Sequence, residues 1–90
     1  NNVDALTLRG WILVRIDDVE VQAEGVAALD KALSLEPDTF DPYVFRGFVA
    51  RVLEADFPLA IRMYTLALDR NPPQAMQVQL ERFIEEMTGD

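Results

Sequence analysis

Ninety residues, half of them apolar, suffice for one modest hydrophobic core, and no apolar run approaches the roughly 20 residues of a membrane helix. Sixteen acidic against eight basic residues leave a net charge of -8, with Lys31 the only lysine, so nucleic acid is not expected as a partner unless the arginines cluster on one face. Without cysteine or histidine the chain lacks disulfides, thiolate and imidazole metal ligands, the thiol nucleophile and the usual general base.

The acidic balance slightly favours basic partners, although solubility alone explains it as well. The chain starts at Asn1 without a charged-then-apolar leader and reads as a piece cut from a longer protein.

In chain order, residues 3–16 read as a first helix in which Leu6, Leu8, Trp11, Ile12, Leu13 and Ile16 occupy most of the circumference. A helix so apolar needs cover on two sides. Asp17, Asp18 and Glu20 form an acidic turn. The pattern lacks the central glycine and distal glutamate of a calcium loop, so these carboxylates read as caps of the helix that follows. The second helix, residues 21–36, repeats small and medium residues at Gly25, Ala28, Leu29, Ala32 and Leu33 and ends before Pro37. Asp41-Pro42 is a cap followed by proline at the first helical position, and opens a third helix to residue 54. Asp56 caps a fourth, residues 58–70. A fifth, residues 73–89, carries the stripe Met76, Leu80, Phe83, Ile84 and Met87 against a polar face.

These helices are two copies of one pattern. Asp4, Arg9-Gly10-Trp11 and Leu13 recur 37 residues later as Asp41, Arg46-Gly47-Phe48 and Ala50. Gly25, Ala28, Leu29, Ala32-Leu33 and Pro37 recur 35 residues later as Ala60, Met63, Tyr64, Ala67-Leu68 and Pro72. One glycine inside a helix is an accident costing about 1 kcal/mol, but two in register, each followed by a second helix with a small residue at the crossing, make a steric device. Gly10 and Gly47 are expected to admit Gly25 and Ala60 closely.

On Gly47, Ala60, Tyr64, Ala67 and Pro72 the chain resembles the tetratricopeptide repeat family, whose helix-turn-helix unit has about 34 residues. The resemblance implies an all-α solenoid of antiparallel helix pairs: repeat one over residues 3–37, repeat two over 41–72, and a capping helix over 73–88. Two departures fall in repeat one, a turn longer by two residues and Gly25 in place of the usual alanine.

The resemblance also implies a non-catalytic scaffold whose concave groove, lined by the first helix of each repeat, holds a peptide or partner helix. By register the groove takes Asp4, Thr7, Trp11, Val14 and Arg15, then Asp41, Val44, Phe48, Arg51 and Val52, and from the cap Gln79 and Phe83. Trp11, Phe48 and Phe83 would form an aromatic ladder flanked by Arg15 and Arg51, suited to an apolar peptide bearing a carboxylate. Trp11 has the best claim to exposure, because Leu8 and Ile12 can serve its helix's packing. The plainer alternative is that the stripe is core, since Phe83 lies on the cap's own packing face. Thr7, Trp11, Val44 and Phe48 do not supply the lysines and asparagines of the family's carboxylate clamp, which speaks against a chaperone tail as ligand.

A second role stays open: an oligomerisation or structural module whose groove is filled by another copy or by the parent chain, with a membrane-anchored assembly factor as one setting by analogy. Catalysis is not expected. Ser34, the only serine, has Lys31 three residues away and no third group to orient them, and no catalytic residue, metal site or cofactor is assigned.

Overall fold

A computed structural model describes residues 2–89. The described residues form five α-helices and no strand: α1 (Asn2–Val14), α2 (Val19–Ser34), α3 (Asp41–Val52), α4 (Phe57–Leu68) and α5 (Gln74–Thr88). None of them is long and apolar enough to cross a membrane.

Local chemistry accounts for the boundaries. α1 stops two residues short of its expected end because the amides of Arg15 and Ile16 turn back to the carbonyls of Ile12 and Leu13, at 3.3 and 3.2 Å. Asp18 then adopts an extended backbone, and its carboxylate accepts from the amides of Glu20 at 2.9 Å and Val21 at 3.2 Å. It caps α2, which therefore begins earlier than the apolar pattern indicates. Asp56 caps α4 likewise, accepting from the Leu59 amide at 3.2 Å. Asp41 does not cap α3. It lies inside the first turn behind Phe40, which makes no side-chain capping bond. α2 and α4 end alike, in a left-handed residue followed by a buried proline: Glu36 (φ 51) with Pro37, and Asn71 (φ 53) with Pro72.

The closest helix pairs are α1 with α2 and α3 with α4, while α1 also touches α3 and α5 packs on α4. In the first pair the contact is backbone against backbone. A Cβ on Gly10 would lie 2.8 Å from the Gly25 carbonyl oxygen, and a Cβ on Gly25 would lie 2.8 Å from the Gly10 oxygen and 2.7 Å from Val14 Cγ1. The second pair differs from the expected glycine-to-alanine crossing. The space above Gly47 is filled by the Tyr64 ring, whose Cε1 would stand 2.5 Å from an added Cβ.

Two apolar clusters follow from this packing. Val14, Leu29 and Val49 join the first pair to α3, with Trp11, Val26 and Phe45 against them. Tyr43, Met63, Tyr64, Ala67 and Leu80 join the second pair to α5, and all five residues of the expected α5 stripe pack there.

Two arginines tie the pairs together. Arg46, 7% exposed, donates from Nε to Asp30 of α2 at 2.9 Å and from Nη1 to Glu54 beyond α3 at 2.6 Å. Burial works against its charge, but the hydrogen bonds to Glu54 and Asp30 outweigh that cost and hold its pKa above the ordinary arginine value. Arg70 donates to the Pro37 carbonyl at 3.0 Å, the Leu66 carbonyl at 2.8 Å and the Tyr43 hydroxyl at 3.0 Å, and its guanidinium lies over the Tyr43 ring.

The outer side of α1 has no cover among the described residues: Leu8 is 61% exposed and Ile12 51%. This reverses the expected division of labour on that helix. Leu8 and Ile12 face outward, and Trp11 turns inward toward α3.

Candidate functional site

The groove runs along α1 and α3 and reaches across to α5. Trp11 stacks on Phe45 with ring centres 4.4 Å apart and planes 13° from parallel, and meets Phe48 edge-on at 5.2 Å. Phe45, Phe48 and Arg51 recur every third residue and share one face of α3. The Arg51 guanidinium lies 3.9 Å from the centre of the Phe83 ring and 5.8 Å from that of Phe48. Its Nε donates to the Tyr64 hydroxyl at 3.0 Å, and Tyr64 in turn stacks on Phe83 with centres 5.9 Å apart.

Arg51 is therefore a rung between Phe48 and Phe83, where a flanking position had been expected. The ladder reads Phe45, Trp11, Phe48, Arg51, Phe83. Beside it is a pocket of about 350 Å³ lined by these five and by Val44, Gln79 and others. Apart from the Nε bond, the Arg51 guanidinium has no hydrogen-bond acceptor among the described residues, so it can still receive an anion at the end of an apolar slot.

On the other side of Trp11 and Phe45 lies a second pocket of about 310 Å³, whose polar lining is Asp4, Thr7, Thr39 and Asp41. No family model, curated protein or solved structure matches the chain. The groove offers two adjoining compartments with one aromatic partition, the first apolar with a cation at its edge and the second acidic.

The expected groove residues distribute unevenly. Trp11, Val44, Phe48, Arg51, Gln79 and Phe83 meet in the first pocket. Thr7, at 6% exposure, borders only the second, and its hydroxyl is buried without a hydrogen-bond partner among the described residues. Arg15 is exposed and stands 5.4 Å from the centre of the Trp11 ring, outside both pockets. Val14 is a correction. It is 3% exposed and belongs to the core with Leu29 and Val49, because the missing side chain of Gly25 draws it inward. Val52 borders neither pocket.

Phe45 is the groove residue that register alone did not find. Matching Trp11 to Phe48 gave each helix one aromatic, whereas the stacking partner of Trp11 is the residue one turn earlier. The i, i+3 pair Phe45 and Phe48 was the available signal.

Proposed function

We propose that the chain is a non-catalytic scaffold of the tetratricopeptide type, two repeats and a capping helix, that holds a segment of another protein against the Trp11–Phe83 groove. The observation that carries this reading is the ladder itself. Aromatic and arginine side chains from three helices line one partly exposed slot, the side-chain types that dominate binding energy at protein interfaces. The like endings of α2 and α4, and the glycines at the same position of α1 and α3, support the repeat assignment.

Selection of random displayed peptides on the folded chain tests the reading. Selected peptides are expected to shift the amide resonances of Phe48, Arg51 and Phe83, and Phe48→Ala is expected to weaken them about tenfold or more with the helical circular dichroism retained. Peptides that bind Phe48→Ala equally well would place recognition elsewhere.

A second reading rests on one observation, the uncovered strip of Leu8 and Ile12 on α1, continued by Ile16 in the turn that follows it. If that strip joins two copies, sedimentation analysis is expected to show a dimer that Ile12→Glu dissociates. A monomer at all concentrations removes self-association from consideration.

A further inference from the structure

We infer that the acidic compartment of the groove receives the cationic head of a lysine or arginine side chain from the bound partner. This rests on the groove reading above and specifies the partner's chemistry. Asp41 is exposed and lines the pocket, and its carboxylate forms no hydrogen bond or ion pair with any described residue. Asp4 stands on the neighbouring helix, and no basic residue is among the lining. The Thr7 hydroxyl is at the same wall, buried without a partner among the described residues, a state that leaves an unmet hydrogen-bonding cost in the unliganded protein.

The N-termini of α1 and α3 both open toward this pocket, and their dipoles would favour an anion. Each amounts to roughly half a positive charge. Both first turns hold an aspartate, and at α3 the full negative charge of Asp41 outweighs the half charge of its own helix. A lysine or arginine head has the complementary chemistry. Its N–H groups donate to the Asp41 carboxylate and to the Thr7 and Thr39 oxygens, while its methylene stem lies along Leu8, Trp11 and Phe45. The chain's overall charge of -8 draws such a partner in.

The test uses n-butylammonium chloride as the probe, titrated into the nitrogen-15 labelled chain, with n-butanol and sodium butyrate as neutral and anionic matches. Saturable shifts at the amides of Thr7, Thr39 and Asp41 are expected for butylammonium alone. Asp41→Asn should weaken it about fivefold, the range of a solvent-accessible charge pair. Thr7→Val, which replaces the hydroxyl by a methyl of like shape, should weaken it about twofold while raising the urea midpoint. Equal shifts from butanol or butyrate, or unchanged affinity in Asp41→Asn, would overturn the inference. Phe48→Ala separates this site from the apolar slot, since it should leave butylammonium binding intact. Groove-bound peptides that lack any basic residue would sink the present inference and leave the scaffold standing, whereas intact ammonium binding with no groove peptide at all would do the reverse.

Discussion

Gly25→Ala is expected to destabilise the protein by about 2 kcal/mol and to lower its melting temperature by about 10 °C. The sign makes the result informative. In an unobstructed helix interior the same change adds about 1 kcal/mol of stability, because glycine is the poorer helix former. Here the new Cβ would meet Val14 Cγ1 at 2.7 Å, and the Gly10 oxygen and Val14 nitrogen each at 2.8 Å. Two of these three atoms are backbone of α1. No rotamer change removes them, so the helices must separate and the Val14–Leu29–Val49 cluster must loosen. Ala23→Gly, at an exposed position of the same helix, isolates the propensity term and should cost about 1 kcal/mol. Urea melts followed by circular dichroism measure both, and a Gly25→Ala protein more stable than the wild type would mean that α1 and α2 lie farther apart than described. Gly47→Ala meets a side chain instead, the Tyr64 ring, but that ring is 1% exposed and held by Arg51 and Phe83. Its displacement would reach the ladder directly.

Arg46→Met is expected to cost about 2 kcal/mol, and Arg9→Met less than about 0.5 kcal/mol. The two arginines precede equivalent glycines and have opposite surroundings. Arg46 is buried and bonded to Asp30 and Glu54, while Arg9 is exposed. Methionine keeps an unbranched apolar stem in place of that of Arg46 and removes its fork of donors. Replacing a whole buried ion pair by apolar groups is often neutral, but here both carboxylates would remain. Their side chains are 55% and 38% exposed, so water takes up the lost bonds and the cost stays below that of a stranded buried charge. Arg46→Lys should fall between, since one ammonium cannot span both carboxylates as the planar fork does. Equal urea midpoints for Arg46→Met and the wild type would show that the bridge contributes nothing beyond packing.

The groove residues were legible to different depths. Phe48, Arg51 and Phe83 followed from register because the faces of α3 and α5 are set by the same periodicity that buries Val49 and Leu80. The role of Arg51 did not follow. Its place between two rings depends on α5 lying against α4, a contact made by residues far from it in the chain. Thr7 and Val14 follow the same helical period as Trp11. Whether such a position is groove, wall or core depends on how α1 is rotated about its axis against α3.

By itself the sequence determined the five helices and their ends to within about two residues, because period, aspartate caps and prolines act over one turn of chain. It also determined which face of α5 is buried, since that helix has a single apolar stripe. The tertiary structure alone decided the rotation of α1. That helix is apolar nearly all round, so several faces satisfy burial equally, and the choice fell to the backbone contact of Gly10 with Gly25 and the stacking of Trp11 on Phe45. It also decided that Arg46 is a bridge and Arg9 a surface residue, for an identical local pattern acquires partners only where carboxylates are brought to it, here Asp30 from α2 and Glu54 from the turn after α3.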